Sequence, residues 1–153
     1  MNAAKKNVEE LLSCGHSVEI YPQGYSMYPL VRPGRDRVVL EPFVRQRDKI
    51  RRGDVLLFRR RNSILVLHRV YSVKQDGVYF VGDNQVEIEG PISNHMILGK
   101  SVAFIRGNRR ISVHHPLYVF FTRLWMLLRP FRPIISKVIH NGKLLLGRGK
   151  NEN

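Results

Sequence analysis

The sequence predicts a mainly β domain, a small antiparallel barrel or sandwich of about six to seven strands. Three observations support that class. Between His16 and Ile111, short β-branched or aliphatic runs recur between Gly, Pro and Asp breaks. No helical period intervenes, which argues for antiparallel rather than parallel pairing. The chain has 153 residues, of which 43% are hydrophobic and 25% charged, enough for one packed core and too ordinary a mixture for wholesale disorder.

Taken in order, residues 3–13 form a short helix ended by Gly15, with Val8, Leu11 and Leu12 on one face. SVEIYP at 17–22, DRVVLEP at 36–42 and DVLLFRR at 54–60 are the first strands. ILVLHRVYSV at 64–73, GVYFVGD at 77–83 and ILGKSVAFIR at 97–106 complete the set. QDGV at 75–78 has the composition of a tight Asp-Gly hairpin turn. The organisation is then an N-terminal helix over 1–15, a β domain over 16–112 and a basic amphipathic tail over 113–153.

The net charge is +14, from 26 Lys and Arg against 12 Asp and Glu, so the chain should seek an anionic partner. Residues 43–61 carry eight bases and two acids, and residues 106–153 carry ten bases and one acid. In 43–61 the only aromatics are Phe43 and Phe58, too few to stack on bases, so a solvated basic loop is expected there and nucleic acid is not. The tail interleaves Leu117, Tyr118, Phe120, Phe121, Leu124, Trp125, Leu127, Leu128 and Phe131 with arginines. That pattern suits an anionic membrane surface over 117–133, or equally a helix packed on the β domain. No apolar run reaches the roughly 18 residues of a spanning helix. The N-terminus lacks the apolar core of an export signal, so a cytoplasmic chain without a cleavable signal peptide is expected, peripheral at the inner membrane face if the tail binds lipid.

Cys14 is the sole cysteine, and the histidines lack metal-ligand spacing and partners, so neither a disulfide, a metal site nor another cofactor is expected. Three loop-edge segments carry the chemistry instead: GYSMYPLVRPG at 24–34, LHRV at 67–70 and GDNQ at 82–85. Singly, each has an ordinary structural explanation, with Ser26 satisfying a turn and His68 filling the core. A serine becomes a nucleophile only when a base takes its proton, and that base can come from a distant segment.

The ordered set Ser26-Met27-Tyr28-Pro29, Gly53-Asp54-Val55, His68-Arg69-Val70 and Gly82-Asp83-Asn84 resembles the signal peptidase and LexA-type serine peptidase superfamily over about residues 16–105. It is similar to the subtype with histidine, not lysine, as the base. The resemblance implies Ser26 as nucleophile, His68 as general base and Asp83 as the carboxylate orienting the imidazole. It implies Asp54 in a supporting strand entry, and Gly24, Met27 and Pro29 beside the substrate. Glu87 and Glu89 are available as a second acid. Backbone N–H groups at the Ser26 turn would meet the oxyanion. The implied activity is endopeptidase cleavage of a leader, signal or precursor peptide. The alternatives are a catalytically silent barrel that binds peptide or nucleic acid, and a self-cleaving protein cut at Cys14-Gly15. Signal peptidases carry a membrane anchor ahead of the nucleophile, whereas residues 1–23 include Lys5, Lys6, Glu9, Glu10 and Glu19.

Overall fold

The structure is a computed structural model that describes residues 3–61 and 64–132, with backbone alone for 3–7. The expectations for residues 133–153 of the tail lie outside the described residues.

The first helix, α1, runs Ala3–Ser13 as the sequence predicts. It ends because Gly15 adopts φ +88°, open to glycine at no steric cost, and lets the chain reverse. The Gly15 N–H then donates to the Leu12 carbonyl and the His16 N–H to that of Leu11, satisfying the last free carbonyls of the helix. Leu12 is buried and Val8 partly so, but Leu11 is exposed, since only one narrow stripe of this helix meets the sheet.

Eight strands follow: β1 Val18–Ile20, β2 Asp36–Pro42, β3 Val55–Arg59, β4 Leu65–Lys74, β5 Gly77–Val81, β6 Glu89–Ile92, β7 Ile97–Arg106 and β8 Arg109–Ser112. They form one antiparallel sheet in the order β1-β2-β7-β3-β4-β5-β6, with β8 added to β7. β7 lies at the centre. Along one edge it pairs with β2, and along the other it pairs with β3 near its start and with β8 near its end. Register shifts at Val39/Leu40, Leu57/Phe58, Val70/Ser72 and Val78/Phe80 mark bulges, which bend strands. The path does not close, because β1 and β6 remain its two ends. The mainly β antiparallel class holds, and in place of a closed barrel there is one open sheet.

Alternation along the strands divides the core in two. Val38, Leu40, Val55, Leu57, Leu67 and Phe104 pack with Leu12, Met27 and Val31 in the first cluster. Leu56, Phe58, Val66, Val70, Val78, Phe80 and Ile97 make the second. The β4–β5 turn falls at Gln75 and Asp76, with Lys74 opposite Gly77. Gly77 therefore opens β5 rather than completing the turn. A further helix, α2, spans Pro116–Leu127, and a 3-10 turn at Arg129–Phe131 continues it. His115 is its N-cap and Pro116 its first residue, where a missing N–H costs nothing. Among the described residues, no helix is long and apolar enough to cross a membrane.

Candidate active site

The segment from Gly24 to Arg35 is a compact loop between β1 and β2. The Tyr28 N–H donates to the Tyr25 carbonyl at 3.1 Å and the Val31 N–H to that of Met27 at 2.9 Å, which winds the chain around Ser26. Met27, at 2% exposure, and Val31 anchor this turn in the first core cluster. Its far end is pinned by charge. The buried Asp36 carboxylate accepts from the Arg32 N–H at 2.9 Å, from Arg35 at 2.7 Å and from Arg106 at 3.0 Å. Arg106 also donates to the Leu30 carbonyl at 3.0 Å. Burial would raise the Asp36 pKa, but the bonds from Arg35, Arg106 and the Arg32 N–H outweigh it and hold the carboxyl well below the usual range. Ser26 is half-buried. Among the described residues, the N–H groups of Ser26 and Met27 donate no hydrogen bond.

His68 sits in β4 opposite Leu56 of β3, so its ring faces the second core cluster. It stands edge-on to Phe58, with ring centroids 6.2 Å apart, and Phe58 in turn stacks on Phe80. The residue is 4% exposed. Its Nδ1 lies 3.5 Å from Glu89 Oε2, within ion-pair range but too long for a hydrogen bond, and has no hydrogen-bond partner. Glu89 is gripped by the Arg60 guanidinium, whose second contact is 2.6 Å. Burial pushes the His68 pKa down, Glu89 pushes it up and Arg60 pushes it down again, leaving it below 6.5. The imidazole is therefore neutral at pH 7.

Asp83 does not meet the His68 ring in the manner the resemblance implies. Both its oxygens are taken by Arg69, at 2.8 and 2.7 Å, in an ion pair with neither side chain exposed. The same guanidinium donates to the Gly53 carbonyl at 2.8 Å and to the Tyr118 hydroxyl at 3.2 Å. Strand alternation sends His68 and Arg69 to opposite faces, and the turn that follows Val81, the partner of Arg69, brings Asp83 onto the arginine. The acid beside His68 is Glu89. Asp54 is likewise turned elsewhere, accepting from the Arg51 N–H at 2.8 Å and from Lys100 at 2.7 Å. It shapes the turn before β3 without touching the histidine. Of the residues expected beside the substrate, Gly24 is exposed with φ +74°, Pro29 is half-buried, and Met27 is a core side chain turned from solvent.

The turn after β5 joins these pieces. The Asn84 N–H donates to the Ser26 carbonyl at 2.8 Å, and a Cβ on Gly82 would lie 2.8 Å from that oxygen. Since Val81, which precedes this turn, pairs with Arg69, the Ser26 turn is joined through it to the β4 strand that carries His68. No hydrogen bond links the Ser26 and His68 side chains; catalytic bonds are often long before substrate binds. Sequence reasoning missed the supports from α2 and the turn after it. Trp125 donates its indole N–H to the Asp83 carbonyl at 2.8 Å, Arg129 donates to that of Val86 at 2.9 Å, and buried Arg132 donates to those of Gly82 and Gln85 at 2.9 and 2.7 Å. Nothing local in the sequence marks them, because their partners are backbone carbonyls some 40 to 50 residues away. Among the described residues, no three His, Cys, Asp or Glu side chains cluster as a metal site. No family model matches the chain, and no curated protein matches it.

Proposed function

We propose that the chain is a serine endopeptidase that uses Ser26 and His68 to cleave a leader, signal or precursor peptide, on a β framework of the LexA and signal peptidase kind. The observation that carries the proposal is the 2.8 Å bond from the Asn84 N–H to the Ser26 carbonyl, which ties the nucleophile turn to the strand pair holding His68. Ser26 Oγ gives its proton to the neutral His68 and attacks the scissile carbonyl. The N–H groups of Ser26 and Met27, which donate to no described residue, take up the oxyanion. The imidazolium, steadied by Glu89 beside Nδ1, then passes its proton to the leaving amine, and water releases the acyl group with His68 again the base. An extended peptide gains backbone bonds by pairing with an exposed strand edge. The chain would act in the cytoplasm, peripheral to the inner membrane face.

A second reading is favoured by the packing of His68 against Phe58, which suits a silent domain that binds peptide without cutting it. Nucleic acid is less well served, because Arg47, Arg59 and Arg60 are engaged by Asp48, Glu9 and Glu89. Self-cleavage at Cys14-Gly15 would first have to melt the hydrogen-bonded end of α1.

The test is incubation with a mixture of peptides from a whole-cell digest, new termini being read by mass spectrometry. The intact protein should cut, and Ser26→Ala and His68→Ala should each lose at least about a thousandfold, the double variant being no worse than either, because nucleophile and base act as a unit. His68→Lys should not restore cleavage, since an ammonium needs its own apolar pocket to lose a proton. Full activity in Ser26→Ala would exclude the mechanism.

A further inference from the structure

α2 is apolar on both sides, where a surface helix normally turns a polar face to solvent. Its inward face carries the buried Thr122 and Met126, with Tyr118 against Phe104 and Trp125 bonded to the Asp83 carbonyl. Its outward face carries Leu117, Phe120, Phe121, Leu124 and Leu127, and Phe131 follows in the same line. These six side chains are between 40 and 73% exposed. At 100° per residue they fall within about one third of the helix circumference, a single continuous stripe. Such a stripe needs a partner.

The charge around it says which partner. Among the described residues from Gly90 to Arg132 the sequence has seven Lys and Arg and no Asp or Glu, though Lys100 and Arg106 are paired with Asp54 and Asp36 and Arg132 is buried. Arg109, Arg110 and Arg123 are exposed on or just before the helix. A second copy of the chain would bring the same basic surface against itself, at a net charge of +14 each. A nucleic acid would satisfy the arginines but leave the leucines and phenylalanines in water. An anionic bilayer surface satisfies both, with headgroups at the arginines and the acyl boundary under the stripe.

We propose that α2 and the 3-10 turn after it dock the protein on an anionic lipid surface, inserting the stripe from Leu117 to Phe131. The inference goes beyond the peptidase reading and does not depend on it. It has a consequence for the fold, since the docked helix also grips the 82–86 turn through Trp125, Arg129 and Arg132. The Ser26 turn, tied to the 82–86 turn, would then lie behind α2, with the helix between it and the lipid.

The test is flotation of the full chain with vesicles of phosphatidylcholine, alone or with about one third phosphatidylglycerol. Binding should need the anionic lipid and weaken as salt rises. Phe120→Glu with Leu127→Glu should lower partitioning by more than tenfold, and both sites are exposed, so the melting temperature should stay at that of the parent. Arg109→Glu with Arg110→Glu should lower it roughly fivefold or more per base, without touching the apolar stripe. Equal binding to neutral and anionic vesicles would overturn the proposal, as would unchanged binding by the Phe120/Leu127 variant. A concentration-dependent dimer that this variant abolishes, in a chain that does not float with vesicles, would assign the stripe to a second copy instead.

Discussion

Replacing Asp83 by alanine separates its two possible roles. If Asp83 served only to orient His68, the variant would lose activity and keep its stability. Its carboxylate instead makes two charge-assisted bonds to Arg69 with both side chains out of solvent. At about 1.5–3 kcal/mol for each such bond, the loss is about 3–6 kcal/mol. Breaking a buried pair from one side typically costs about 3–5 kcal/mol, because the remaining charge stays buried. A loss of about 4 kcal/mol should lower the melting temperature by about 8–16 °C in a domain of this size. Urea unfolding followed by Trp125 fluorescence is the assay, apt because the indole donates to the Asp83 carbonyl. The double variant Arg69→Met/Asp83→Leu should recover much of the loss, since no charge is left behind. What stays unrecovered should reflect the Gly53 carbonyl and Tyr118 hydroxyl that lose their donor. A cost below about 1 kcal/mol for Asp83→Ala would refute the structural role.

Three further outcomes are expected. The folded His68 pKa lies below its unfolded value of 6.5, so the native state binds fewer protons between the two; its contribution to stability is present above pH 6.5 and lost as pH falls through the folded value. The urea midpoint of the parent should therefore drop more between pH 7.5 and pH 5 than that of His68→Gln, and parallel curves would contradict the shift. The acid limb of kcat/KM should also lie below 6.5, because the base must be neutral. Gly82→Ala should abolish cleavage at modest cost in stability: its Cβ would meet the Gln85 side chain, which can swing away, and the Ser26 carbonyl at 2.8 Å, which can yield only by moving the nucleophile turn. Parent-like cleavage by this variant would show that the close approach does not matter.

Most of the strands were legible because their apolar residues are dense and bounded by breaks, as in Asp36–Pro42 and Ile97–Arg106. The two strands that were not legible lack that signal. β6 reads Glu-Gly-Pro-Ile, with a proline in a four-residue edge strand, and β8 begins Arg109-Arg110 and exists by pairing with β7. Sheet closure could not be read either, since openness depends on which strands end unpaired rather than on how many there are. At the site, the turn after β5 links the three segments that drew notice, through the Asn84 N–H to Ser26 and the pairing of Val81 with Arg69. The partner of Asp83 was hidden by adjacency, because His68 and Arg69 are neighbours in sequence and opposites in space. Register was the missing quantity: with Val81 paired with Arg69, the turn after β5 sets Asp83 on the arginine, and alternation leaves the histidine on the other face beside Glu89.

The Ser26 turn has a consequence of its own from this arrangement. It is held from two directions by groups that perform no chemistry: at its foot by Asp36 with Arg35 and Arg106, and at its crown by the Asn84 N–H. The second support is itself suspended, since the 82–85 turn is fixed by Arg69 from within the sheet and by Trp125 and Arg132 from the C-terminal helix. The bonds from the helix reach backbone carbonyls, which substitution at positions 82–85 cannot remove. Thus the geometry of the Ser26 turn depends on a helix nearly one hundred residues away in the chain, whose opposite face offers leucine and phenylalanine to the surroundings. Any force that shifts α2 is transmitted first to the Asp83 and Gly82 carbonyls and then, through Asn84, to Ser26.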